Sequence, residues 1–186
     1  MLQACSTISS KTKTPENTKF FSGRAEVLDK KKNKTDHIRF YLAAAEPYLL
    51  RIDVNYGILS VPLGTLILRE DEAQFVNLME GKDYRSNDGT RALERLLKTK
   101  LTPQQVIAIF SESFPLPPPW QCRGLGTEKI NCETADLFLE MESKELRRTL
   151  KVNSERSSIT MEYSVDKKRK VSFDWLSPNG FEKVSL

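Results

Sequence analysis

The side chains best suited to nucleophilic, metal-ligating or proton-transfer chemistry are few here: three cysteines and a single histidine, His37. His37 sits at a strand entry with no cysteine or carboxylate at a spacing that would make a metal site or a catalytic pair, so it reads as a surface residue. No GxSxG elbow, HExxH helix, phosphate-binding Walker loop or Gly-rich dinucleotide turn occurs. Gly124-Leu125-Gly126 is only a turn between two cysteines. The expectation is therefore a protein that is not an enzyme and takes no metal or cofactor. Cys122 and Cys132 flank Arg123–Asn131 between two short strand candidates, close enough for a disulfide across a hairpin; two buried thiols in a cytosolic protein is the alternative.

The elements that would carry these residues are mostly strands. Phe21, Gly23, Ala25 and Val27 alternate with polar residues, as do Ile38, Phe40, Leu42 and Ala44 after the lysine-rich turn Lys30–Lys34. Further strands are predicted over Tyr48–Asn55, Thr65–Arg69, Ala73–Glu80, Asp83–Ser86, Ala135–Glu142, Leu146–Val152, Ser158–Val165 and Val171–Trp175. The period changes in the middle. Leu93, Leu96 and Leu97 recur at helical spacing, and Thr102-Pro103-Gln104-Gln105 offers an N-cap, an N1 proline and a capping-box glutamine to a second helix with Val106, Ile109 and Phe110. Pro115, Pro117, Pro118 and Pro119 then make a stiff connector. The fold class is mainly β (α+β). About 10–11 antiparallel strands are too many for a flat sheet, so an incomplete barrel with a two-helix lid is expected.

Composition narrows the class of partner. In 186 residues, 39% hydrophobic and 29% charged, there is enough apolar side chain for one core. The excess of 29 Lys+Arg over 25 Asp+Glu is only +4 and is spread along the chain apart from Lys30–Lys34 and Lys167–Lys170, which read as hairpin tips; nucleic acid is not an expected partner. No run approaches the roughly 18 apolar residues of a membrane-spanning helix, so membrane contact would come from an anchor or a surface.

Met1-Leu2-Gln3-Ala4-Cys5-Ser6 resembles the lipobox of bacterial lipoproteins, in which the cysteine after the cleavage site is acylated. No charged n-region or apolar h-region precedes it, so residues 1–19 are read as a truncated lipobox followed by a flexible tether, Ser6–Lys19 being almost wholly polar. Lipidation at Cys5 would place the protein outside the cytoplasm, which also favours the Cys122–Cys132 bond.

A lipidated cysteine, a polar tether, the opening strand Phe21-Ser22-Gly23-Arg24-Ala25, a Pro-Leu-Gly-Thr loop at Pro62–Thr65, two short helices and a second set of strands together resemble the LolB-like family of outer-membrane lipoproteins, within the LolA/LolB lipoprotein-localisation fold. The resemblance covers Phe20 to about Phe114, and residues 20–186 would form the barrel domain. It implies an apolar interior that accepts acyl chains of lipoproteins from a soluble carrier of the LolA type and delivers them to the outer membrane, by a monomer anchored on the periplasmic face. It also implies an insertion loop at Pro62, Leu63 and Gly64, with Leu63 projecting. Candidate lining residues are Phe40, Leu42, Leu50, Ile52, Leu66, Leu68, Leu93, Leu97, Ile109 and Phe110. The competing reading is a structural or docking lipoprotein of an envelope assembly whose interior is filled by side chains such as Phe75, Phe138, Phe173 and Trp175.

Overall fold

The computed structural model describes residues 14–45, 49–57, 60–97, 100–166, 171–176 and 178–185, with backbone only for 95–97. Cys5, the Lys167–Lys170 cluster and Tyr48 lie outside the described residues.

Six strands come first: β1 (Lys19–Asp29), β2 (Lys34–Ala45), β3 (Leu49–Tyr56), β4 (Val61–Arg69), β5 (Glu72–Asn77) and β6 (Lys82–Ser86). Helices α1 (Gly89–Leu97) and α2 (Pro103–Ser111) follow, then β7 (Gln121–Arg123), β8 (Lys129–Glu133), β9 (Leu137–Lys144), β10 (Arg147–Ser154), β11 (Ser157–Val165) and β12 (Glu182–Ser185). All twelve strands join one sheet in the order β12-β6-β5-β4-β3-β2-β1-β11-β10-β9-β8-β7. Every neighbouring pair is antiparallel except β12 with β6. The sheet is open, with β12 and β7 at its edges, and it exceeds the 10–11 strands expected.

The connection from β6 to β7 runs from one side of the sheet to the other. Flat, ten strand spacings would span about 48 Å. The sheet instead curls around the connection, because one continuous apolar cluster takes side chains from β1–β5, from both helices and from β8–β11. Leu116 and Trp120, on either side of Pro117–Pro119, are buried in the same cluster, so the proline connector is held at both ends.

Alternation settles which face of each strand looks in. Phe21 and Ala25, Phe40 and Leu42, Leu66 and Leu68, Leu139 and Met141, and Leu150 and Val152 all face this interior. At Gly23 the chains come too close for a side chain: an added Cβ would lie 2.2 Å from the Glu162 carbonyl oxygen and 2.7 Å from the Tyr163 Cβ. That seam, β1 against β11, joins the N-terminal and C-terminal halves of the sheet.

Two expectations about the C-terminus need correction. Val171–Trp175 is not a strand, and the sheet's last strand is β12, which the sequence reading missed. The backbone of 171–176 is held by side chains instead of a ladder. Val171 exchanges two hydrogen bonds with Thr14 Oγ1, and Arg51 donates to the Ser172 carbonyl. Gln74 donates to the Leu176 carbonyl at 2.7 Å and accepts from its amide at 2.7 Å. The segment lies on the outer face of the sheet, where Phe173 packs with Phe20, Ala43 and Ala45 in a second buried cluster. The segment thus covers the outer face around Phe20, Ala43 and Ala45, whereas the outer face of β9–β11 is polar. Thr14, expected in the tether, already bonds to Val171 of the folded part, and Thr18, also expected there, is buried.

Cys122 and Cys132 stand directly opposite each other on β7 and β8 and are joined by a disulfide, with Cα atoms 4.1 Å apart. Closing a loop of sequence separation 10 contributes about 2.7 kcal/mol in the chain-entropy picture. The bond gives the three-residue edge strand β7 a covalent hold on the core, because Cys132 is fully buried in the main cluster.

Candidate functional site

The space between the concave sheet face and the two helices is the region that the lining residues were expected to share. Phe40, Leu42, Leu50, Leu66, Leu68, Leu93, Ile109 and Phe110 are all buried in it, and Ile52 packs half-buried against it. The side chain of Leu97 lies outside the described residues. The geometry thus brings these residues together as one apolar interior, packed by its own side chains. Of the four aromatics expected as filler, only Phe75 reaches it. Phe138 is exposed, Phe173 packs on the outer face of the sheet, and Trp175 stacks beneath the Arg69 guanidinium at 5.2 Å. The filling comes instead from Phe21, Phe40, Phe110, Trp120 and Tyr163.

The helical cover is held by its buried apolar side chains and by polar contacts at its ends. At the start of α2, Thr102 Oγ1 accepts from the Gln105 amide at 3.2 Å and Gln105 Oε1 accepts from the Thr102 amide at 3.0 Å, the capping box expected from sequence. At the start of α1, Asp88 accepts from the Arg91 amide at 2.9 Å, and the Gly89 amide donates to the Asp71 carbonyl beyond β4. Gln104 on α2 donates to the same Asp71 through its carboxylate, so one turn residue holds both helices.

The C-terminal end of α2 is chemically different from the rest of the interior. Glu112 caps the helix in a left-handed conformation, φ +58°, a position more often filled by glycine. Its carboxylate pairs with Arg148, which projects from the inner face of β10 and also donates to the Glu145 carbonyl at 2.8 Å. Lys19 donates to the Ser111 carbonyl. Opposite Arg148 on β11 stands Tyr163, whose ring is enclosed by Phe21 at 5.4 Å, Phe110 at 5.9 Å and Phe40 at 6.3 Å. Burial pushes the Tyr163 hydroxyl well above the ordinary tyrosine range, and the Glu112 carboxylate acts in the same direction. The Tyr163 hydroxyl and Ser111 Oγ are both buried with no hydrogen-bond partner among the described residues. Sequence reading placed Tyr163 on a strand but missed this corner; an aromatic with a polar tip on an inward-facing position was the available signal.

Leu63 is not in a loop. Pro62, Leu63 and Gly64 lie inside β4, where Pro62 pairs with Asn55 and Gly64 with Val54, leaving Leu63 as the extra residue of a β-bulge. Proline and glycine suggested a turn, but proline is tolerated near a strand end at a bulge. Gly64 serves a close approach, since a Cβ there would lie 2.3 Å from the Val76 carbonyl oxygen. Pro62 is exposed and Leu63 half-buried. His37, on the outer face of β2, places Nδ1 3.5 Å from Glu26 of β1, a cross-strand neighbour that linear spacing did not reveal.

The polar outer face of β9–β11 is laced with cross-strand ion pairs. Lys129 and Lys151 both reach Glu140, at 2.8 and 2.9 Å, and together hold its carboxyl below the usual range. A cleft of about 600 Å³ on this side of the sheet includes Arg24, Arg39, Arg147 and Tyr41 in its wall. Among the described residues no helix is long and apolar enough to cross a membrane.

No protein-family description matches the sequence, and no curated protein resembles it at a significant level. Among solved structures, the chain is similar to an uncharacterized conserved protein from Thermus thermophilus, at 7% identity and a TM-score of 0.43 over 90% of this chain and 91% of that one. It is also similar to a LolA superfamily protein from Nitrosomonas europaea, at 6% identity and a TM-score of 0.42 over 82% and 86%. Likenesses this remote do not say what the chain binds, and its fold stands on its own strand order and register.

Proposed function

We propose that this protein handles lipid, holding the acyl chain of a lipid or lipoprotein between the inner face of the sheet and the α1–α2 cover. The observation that carries the reading is the continuous apolar cluster that runs from β1–β5 to β8–β11 beneath only two nine-residue helices. Displacing the cover would expose apolar surface on the inner face of the sheet and on the helices, and a chain could lie between them. Burying an acyl chain contributes about 0.8 kcal/mol per CH₂, so roughly 14 methylenes would supply about 11 kcal/mol against the cost of moving the helices. The sequence resemblance adds the rest of the reading: an anchor on Cys5, placement on the periplasmic face of the outer membrane, and cargo handed over by a soluble carrier of the LolA type.

A fluorescent fatty acyl probe should titrate to one site and be displaced by a diacylated lipopeptide. Native mass spectrometry of the protein purified from cells should then show acyl lipid retained. An absence of binding at saturating probe would remove the reading. The packed interior would then favour the second one, a docking lipoprotein whose barrel holds no cargo, because Phe40, Leu50 and Leu139 already fill the space.

Anchoring is tested separately. In a host that processes lipoproteins, the full-length precursor should incorporate radiolabelled palmitate, and Cys5→Ala should not; an unlabelled soluble product from the parent would end the anchor proposal.

A further inference from the structure

We infer that Ser111 and Tyr163 form the polar end of the acyl site, where their two hydroxyls donate to the carbonyl oxygen of an ester- or amide-linked acyl chain. The inference rests on the acyl-binding reading and names the chemistry that the site selects.

Four disfavoured features meet at this one place. Two buried hydroxyls lack partners among the described residues, although buried polar groups are almost always satisfied. Beside them lies a largely buried ion pair, Arg148 with Glu112, and Glu112 itself has the left-handed backbone that an L side chain adopts only at some cost. Strand register places Tyr163 opposite Arg148, and Ser111 and Glu112 follow Phe110, whose ring packs on that of Tyr163. None of this is required to pack the core. Phenylalanine would fill the space among Phe21, Phe40 and Phe110 as well as tyrosine does, and alanine would fit at 111 without an orphaned oxygen.

Such hydroxyls fit one kind of ligand atom. Each can donate one hydrogen bond, and a carbonyl oxygen has two lone pairs to accept them. Arg148 and Glu112 already pair with each other, and burying a free carboxylate costs far more than burying a neutral carbonyl that accepts the same two hydrogen bonds. The corner therefore suits a neutral ester or amide carbonyl better than a free fatty carboxylate. The chain attached to that carbonyl would run along the apolar interior toward Leu50 and Leu68.

The test compares 1-monopalmitoylglycerol with its ether counterpart, hexadecylglycerol, which has the same chain and diol but no carbonyl. The full chain should bind the ester about tenfold more tightly than the ether, the effect of well-formed hydrogen bonds shielded from water. In the double variant Ser111→Ala with Tyr163→Phe the ester-to-ether ratio should fall to about one, while the thermal midpoint stays level or rises. Equal binding of ester and ether by the parent, or an unchanged ratio in the double variant, overturns the carbonyl site and leaves the acyl-binding reading standing. A midpoint lowered by several degrees would show that the hydroxyls serve the fold, and also overturns it. If neither amphiphile binds the parent, the acyl-binding reading falls and this inference falls with it.

Discussion

Gly23→Val should cost about 3–5 kcal/mol, a large share of the roughly 5–15 kcal/mol that keeps a domain folded. The first side-chain atom would overlap the Glu162 carbonyl oxygen and the Tyr163 Cβ, and neither can retreat. The carbonyl belongs to the β1–β11 ladder, and the Tyr163 ring is wedged among three aromatics. Relief requires parting the seam that joins the two halves of the sheet. Ser22→Val is the control: it puts the same side chain one residue away, on the half-exposed outer face, where a β-branched residue suits a strand and the change should stay within about 0.5 kcal/mol. Urea unfolding of both variants would decide it; equal midpoints would mean that the seam adapts and that the close approach is incidental.

Gln74→Leu should cost about 3–4 kcal/mol and should do so locally. The amide side chain of this buried residue makes three hydrogen bonds, two with the Leu176 backbone and one at 2.6 Å to Asp83. A leucine of similar volume satisfies none of them and leaves a buried carboxylate with Arg85 as its remaining partner. Hydrogen exchange should therefore rise by orders of magnitude at Leu176 and along 171–176, with little change at the β9–β11 amides. Uniform acceleration through the whole sheet would instead make Gln74 part of the global core and not the clasp of one segment.

The strands with regular alternation were legible because a half-buried sheet face writes its period into the sequence. β2, with Ile38, Phe40, Leu42 and Ala44 facing inward, and β11, with Ile159, Met161 and Tyr163, are such cases. The α2 cap was legible because its hydrogen bonds are local to Thr102–Gln105. What stayed hidden depends on partners remote in sequence. Val171 and Phe173 alternate like a strand, yet their alternation reflects docking onto the outer face of the sheet. β12 is short and exposed, and it exists because β6 has a free edge. At Pro62–Gly64 residue types that commonly end a strand are absorbed by a bulge inside one. The apolar lining of the candidate site could be read as a set, whereas its polar corner depends on Ser111, Glu112, Arg148 and Tyr163 converging from three elements.

The position of β1 between β2 and β11 has a consequence during synthesis. β1 leaves the ribosome before the other strands of this sheet, and β2–β6 can pair behind it at once, since each follows its neighbour in the chain. Its other edge must wait for β11, which is made after both helices and β7–β10. A nascent chain of β1–β6 therefore presents a long unpaired edge with an uncovered apolar face, the kind of surface that recruits other strands into aggregates. Closing it requires contacts of great sequence separation, which slows folding. Lys30, Lys31, Lys32 and Lys34 crowd the β1–β2 tip, so one end of the waiting edge carries positive charge that repels a second copy of itself.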